Sequence, residues 1–130
     1  MPLVKFDLVK GRSQQEITHL LDVSHRIFLD ALELPEGDRY QVVTQHEPYE
    51  LVMEDTGLGF ERTHQRVLIT VVSRKRTTEQ KEKLYEQLQQ ALYKECQLKP
   101  EDLMINFVIN EDEDWSFGFG KAQFLTGDLQ

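Results

Sequence analysis

The sequence predicts an α+β fold in which two tandem β-α-β units build a four-stranded mixed sheet, with both long helices on one face. Three observations predict it. A short run of β-forming residues opens the chain and leads into a capped helical stripe; the same pattern returns 64 positions later; each half then closes on a further β-forming run.

The opening strand is Leu3-Val4-Lys5-Phe6-Asp7-Leu8-Val9, and Gly11-Arg12 interrupts it. Ser13-Gln14-Gln15-Glu16 has the form of a capping box, in which the serine hydroxyl accepts a free amide of the first turn and the glutamate reaches back. Ile17, Leu20, Leu21, Ser24, Ile27, Phe28 and Ala31 follow at helical spacing, a stripe suited to lie on a sheet. Leu34-Pro35-Glu36-Gly37-Asp38 ends that helix. Arg39 to Gln45 predicts a strand, Tyr49 to Met53 a weaker one, and residues 54–65, with Gly57 and Gly59, a loop.

In the second half, Val67-Leu68-Ile69-Thr70-Val71-Val72 has few polar residues, as a strand buried on both faces would. Thr77-Thr78-Glu79-Gln80 is a second capping box, and Leu84, Leu88, Ala91 and Leu92 continue a helical stripe. Lys99-Pro100-Glu101-Asp102 closes it before a last strand, Leu103 to Ile109. Each crossover is expected to be right-handed, with parallel strands. The chain reads as a single domain, 1–130, with pseudo-repeats at about 2–60 and 66–112 and a C-terminal pocket or interface segment, 113–130. No third long helix is available for the other face of the sheet, which predicts oligomerisation through that face.

Composition narrows the function classes. Charged residues make up 29% and hydrophobic residues 39%, a globular balance. A net charge of -8 argues against nucleic acid and anionic membrane as partners, because both reward clustered positive charge. One cysteine, Cys96, cannot form an internal disulfide, and neither a leader nor an apolar spanning run is seen; the expectation is a soluble cytoplasmic protein.

Few residues suggest chemistry. Pro2 either starts an edge strand, where its missing N–H costs nothing, or becomes a secondary amine once Met1 is removed. An α-amino group titrates near ~8, and nearby cations lower that value, so such an amine can act as acid or base near neutrality. Arg74-Lys75-Arg76 precedes the Thr77 cap, at the positive end of a helix. It is either a solvated turn paired with Glu79 or Glu82, or an anion site in which Arg74 and Arg76 share a side and Lys75 points away. At the 64-residue offset, Arg74 answers to Lys10, Arg76 to Arg12, and Pro2 to Arg66. If the first and third strands pair antiparallel, Pro2 comes to lie beside Arg74 and Arg76.

Asp38 stands in Gly37-Asp38-Arg39-Tyr40, where aspartate suits a turn cap. Trp115, Phe117, Phe124 and Leu129 crowd the last sixteen residues and either close a core or interface or wall a pocket. Gly118 and Gly120 read as turn residues, and Cys96 as packing. His19 and His25, six apart, fall on different helix faces and make no metal pair; His46 and His64 read as surface residues.

Taken together, Pro2, the two β-α-β halves and Arg74-x-Arg76 resemble the tautomerase superfamily, closest to malonate semialdehyde decarboxylase and its relatives. The resemblance runs through Pro2-Leu3-Val4-Lys5-Phe6-Asp7, Gly37-Asp38-Arg39-Tyr40, Val43-Thr44-Gln45-His46, Glu54-Asp55-Thr56-Gly57-Leu58-Gly59, Asp114-Trp115-Ser116-Phe117-Gly118 and Phe124-Leu125-Thr126-Gly127-Asp128. It implies a homotrimer with Pro2 as catalytic amine, Arg74 and Arg76 handling a substrate carboxylate, Asp38 assisting, and Trp115, Phe117, Phe124 and Leu129 walling the pocket.

The activity it implies is cofactor-independent and metal-free decarboxylation of a small 3-oxo acid, malonate semialdehyde going to acetaldehyde and CO₂. Alternatives are a keto–enol tautomerase or hydratase acting on small 2-oxo or unsaturated acids, and a non-catalytic trimer used for interaction.

Overall fold

The computed structural model describes residues 2–129, so the expected removal of Met1 falls outside the described residues. Strands β1 (Leu3–Val9), β2 (Tyr40–His46), β3 (Val67–Arg74) and β4 (Leu103–Asn110) form a single sheet in the order β2-β1-β3-β4. Helices α1 (Gln14–Ala31) and α2 (Thr78–Cys96) make the two crossovers, and a short α3 (Gln123–Thr126) lies near the C-terminus. The outer pairs β1–β2 and β3–β4 are parallel, while β1 and β3 run antiparallel, so the sheet is mixed as predicted.

Both capping boxes form. Ser13 accepts from the Glu16 amide while Glu16 accepts from the Ser13 amide, and Thr77 and Gln80 repeat the exchange on α2. Alternate strand residues Val4, Phe6 and Leu8 of β1, with Val67, Ile69 and Val71 of β3, turn toward the helices. They pack on Leu20, Val23 and Phe28 of α1 and on Leu84, Leu88 and Leu92 of α2. Each fully buried leucine contributes roughly 1.5–3 kcal/mol by leaving water. Cutting Leu88 to alanine, at 0% exposure, would cost about 2–5 kcal/mol once the cavity is counted.

The opposite sheet face is less well covered. Tyr40, Val42, Met104 and Val108 are exposed there, and the C-terminal segment shields only one end, where Phe117 stacks on Tyr40.

Two sequence expectations change. Tyr49 to Met53 is not a strand: Pro48–Glu50 forms a 3₁₀ turn, with proline at its first position and the Glu50 carboxylate accepting the Glu47 amide. Arg66 then holds the segment by donating to the Leu51 and Pro48 carbonyls, each at 2.8 Å. The 64-residue offset holds in the helices, where Leu20 and Phe28 correspond to Leu84 and Leu92, all buried. It fails in the strands. Val4, Phe6 and Leu8 are buried, yet the residues 64 later are only partly covered, and Val67, Ile69 and Val71 hold the core instead. A one-residue difference in strand register flips every side chain to the other face, so Arg66 is not the structural counterpart of Pro2.

Candidate active site

Three segments meet at one end of the sheet because of strand direction. Leu3 pairs with Val72 across the antiparallel β1–β3 junction, so Pro2, just before β1, comes to the end where β3 finishes at Arg74. Leu3 also pairs with Tyr40, which brings the loop leaving α1, and with it Asp38, to the same end. Thr77 caps the start of α2 two residues beyond Lys75, so Arg76 is held at the same corner.

A cavity of about 440 Å³ opens there. Asp38, Tyr40, Arg74, Arg76, Phe117, Phe124 and Leu129 line it together with the loop Glu33 to Gly37. Pro2 is buried and is not among the residues lining this cavity. It lines a much smaller one, about 10 Å³, which shares Leu34, Asp38 and Tyr40 with the first. Those three residues border both cavities, so Pro2 stands next to the arginine site. Lys75 is exposed and is not part of either lining.

The two guanidinium groups are held differently. Arg74 Nη1 donates to Asp112 Oδ1 at 2.9 Å, and its guanidinium carbon lies 3.8 Å from the centre of the Phe124 ring. Cation and ring face attract at that distance. Arg76 Nε donates to Ser73 Oγ at 3.1 Å and Nη1 to the Leu32 carbonyl at 3.3 Å. Burial first, and the nearby Arg74 second, hold the Arg76 pKa below the usual arginine value. Arginine stays protonated under such a shift, so two cations converge on one cavity.

The apolar wall is a stacked set. Phe117 meets Phe124 edge-on at 5.4 Å and Trp115 face-on at 5.4 Å. Trp115 does not line the cavity; it backs Phe117 while its indole N–H donates to Asn110 at 2.8 Å. Gln123 braces the segment, accepting from the Phe117 amide and donating to the Gly118 carbonyl, each at 2.9 Å. The intervening turn carries Phe119 and Gly120 at φ 59° and 65°, so Gly120 serves the turn that the sequence suggested.

A family model described as tautomerase enzyme matches residues 38–118, and a second of the same description matches residues 2–61. The chain belongs to the tautomerase family of enzymes. It is 46% identical over 129 residues to the probable tautomerase YrdN of Bacillus subtilis (strain 168), covering 99% of this chain and all of that one. Its fold superimposes on a malonate semialdehyde decarboxylase, solved as wild type, mutant and inactivated protein and described with decarboxylase and hydratase activities. That match has 51% identity and a TM-score of 0.95, over 98% of this chain and 99% of the other. A malonate semialdehyde decarboxylase inhibited by 3-bromopropiolate, FG41, matches at 35% identity and TM-score 0.93, over 98% of this chain and 97% of that one.

Several residues of this tautomerase-family chain escaped the sequence reading. Tyr40 lines both cavities; its signal was its place two residues after Asp38 in Gly37-Asp38-Arg39-Tyr40. His25 lines the small cavity with Pro2, and burial first, then Arg39, lowers its pKa, which favours the neutral ring at pH 7. Asp112 was one of four consecutive acidic residues, with nothing local to single it out. His46 is a correction: it is largely covered, with Nε2 2.7 Å from Asp7 Oδ1, because β2 and β1 are neighbours in the sheet. Cys96 packs against the core, and burial, then Glu95, pushes its thiol pKa up. Among the described residues, no helix is long and apolar enough to cross a membrane, and no three His, Cys, Asp or Glu side chains gather as a metal site.

Proposed function

We propose that this protein decarboxylates a small 3-oxo acid, malonate semialdehyde, to acetaldehyde and CO₂ without a cofactor, using the Pro2 amine exposed when Met1 is removed. The observation that carries the reading is the corner where Arg74 and Arg76 line one cavity with Asp38, and Pro2 lines the adjoining one, which Asp38 also borders. The 51% identity to a malonate semialdehyde decarboxylase supports it.

Loss of CO₂ leaves the electron pair of the broken C–C bond on an enolate, which then takes a proton to give the aldehyde. Protonated Pro2 would donate a hydrogen bond to the carbonyl oxygen where that charge develops. Neutral Pro2 would instead add to the carbonyl, lose water and draw the electrons as an iminium ion; the enamine left by loss of CO₂ would then take a proton and regain water to release acetaldehyde and the free amine. Gripping the departing carboxylate stabilises the ground state and slows the step, so Arg74 and Arg76 serve mainly to orient it. They hold the breaking bond perpendicular to the carbonyl plane. Asp38 positions Pro2 or, in a hydration reaction, activates water. Phe117, Phe124 and Leu129 wall the cavity, and Trp115 stiffens Phe117, which keeps water from the enolate.

The chain acts as one domain of two pseudo-repeats, about 2–60 and 66–112, with the 113–130 segment closing the pocket. It assembles as a homotrimer through the sheet face that exposes Val42, Met104 and Val108.

The test is proton NMR of purified protein with malonate semialdehyde, following acetaldehyde. Appearance of acetaldehyde well above the uncatalysed rate supports the proposal. Its absence, with rapid ketonisation of an enol of a 2-keto acid, would favour the second reading, a keto–enol tautomerase. The probable-tautomerase name of the 46% identical relative favours that reading.

A further inference from the structure

Asp112 is placed on Arg74 by the backbone. Arg74 and Asn110 are partners in the β3–β4 register, and Asp112 lies two residues beyond Asn110, first in a 3₁₀ turn Asp112–Asp114. That turn is tied at both ends. The Glu111 amide donates to the Asp114 carboxylate at 2.8 Å, the Asp114 amide to the Glu111 carbonyl at 3.0 Å, and the Trp115 indole to Asn110. The Asp112 carboxylate therefore meets Arg74 Nη1 from a fixed base, while Phe124 covers the guanidinium from another side at 3.8 Å. An edge contact and a face contact together set the plane of a planar fork.

We infer that Asp112 is a positioning residue that sets the orientation of Arg74 and limits how tightly the cavity grips a carboxylate. The inference rests on the proposed reading of Arg74 as a carboxylate-handling group. Two cations line this cavity beside the carboxylates of Glu33, Glu36 and Asp38, and Asp112, paired with Arg74 from outside the lining, further lowers the field a bound anion meets at that guanidinium. That is useful to a decarboxylase. A site that holds the departing carboxylate too firmly stabilises the ground state and not the transition state. With Asp112 in place, Arg74 orients the carboxylate without closing fully around it.

Asp112→Asn keeps the size and an acceptor and removes the charge. Half-exposed ion pairs of this kind are worth about 0.2–1 kcal/mol, so the effects are about 1.4- to fivefold. Malonate, a dicarboxylate that does not react, should bind Asp112→Asn more tightly by that factor at low salt, with the difference fading at high salt. In turnover, kcat and KM should fall together, leaving kcat/KM little changed. Asp112→Glu should restore both. A merely structural Asp112 would instead lower thermal stability or raise KM. Malonate affinity and kcat unchanged in Asp112→Asn, or weaker malonate binding, would overturn the inference, as would a wild-type protein that binds no malonate. Wild-type protein that binds malonate but does not decarboxylate malonate semialdehyde would sink the proposed activity alone, and the malonate titration would still decide the role of Asp112.

Discussion

Leu3 and Val72 face each other across the antiparallel β1–β3 junction, and this pairing joins the opening of the chain to the arginine turn that begins at Arg74, 71 positions after Leu3. Had the two strands run parallel, Pro2 would lie beside the start of β3, near Arg66, whose guanidinium is engaged by backbone carbonyls. The cavity exists where it does because one strand begins at the end where another stops.

The two arginines should separate under mutation. Arg74→Ala and Arg76→Ala should each weaken turnover of carboxylate substrates by about 2–5 kcal/mol, tens to thousands of fold. Arg76→Ala should also reduce stability by about 1–3 kcal/mol, because it leaves Ser73 Oγ and the Leu32 carbonyl without their donor. Urea unfolding alongside steady-state kinetics checks both. Wild-type rates in both variants would return the cluster to a solvated turn.

Asp102 should be a stability residue. It is fully buried, and its carboxylate accepts the Thr63 amide and the Thr63 hydroxyl, each at 2.6 Å, which pins the loop after Gly59 to the start of β4. Asp102→Ala should cost about 2–4 kcal/mol in urea unfolding with little change in kcat. A drop in kcat with unchanged stability would contradict this assignment.

Much of this architecture was legible. Ser13-x-x-Glu16 and Thr77-x-x-Gln80 announced both helices because capping is local chemistry, and the alternation in Leu3–Val9 announced β1. The direction of β1 against β3 was left open, since it depends on how the two halves assemble and leaves no local mark. Tyr49 to Met53 misled because its β-forming residues outweighed Pro48, while the Arg66 contacts that decide its shape come from 15 to 18 residues away. For the same reason the arginines and Phe117 could be named from sequence, but Asp112 and His25 could not: their roles come from partners in other elements.

The loop at residues 54–60 should respond to acid. The Asp55 carboxylate accepts the amides of Gly59, Gly57 and Phe60, and the Gly59 and Gly57 bonds chiefly hold its pKa below the ordinary aspartate value. A carboxyl with a depressed folded pKa stabilises the native loop above its unfolded pKa, and that contribution is lost as pH falls through the folded value. The Gly59 amide resonance should therefore titrate with a midpoint below the usual aspartate range. Asp55→Asn should abolish that step, and a midpoint at or above the ordinary value would contradict the assignment.

Assembly follows from the uncovered sheet face. In light scattering the protein should run near three times 15.3 kDa, and Val108→Asp, which places a charge on that face, should lower the mass. A monodisperse wild-type monomer would remove the proposed interface.

The most direct test of the account concerns the amine of Pro2. Mass spectrometry first sorts preparations into chains with Met1 removed and chains with Met1 retained, and each is then assayed for acetaldehyde from malonate semialdehyde. In the retained form the Pro2 nitrogen is an amide, neither basic nor nucleophilic, so catalysis should be abolished and not merely slowed. The trimmed form should be active, and trimmed Pro2→Ala, a primary amine, should keep at most part of that activity. Full activity in a chain shown to retain Met1 would contradict the role of Pro2 and the mechanism built on it.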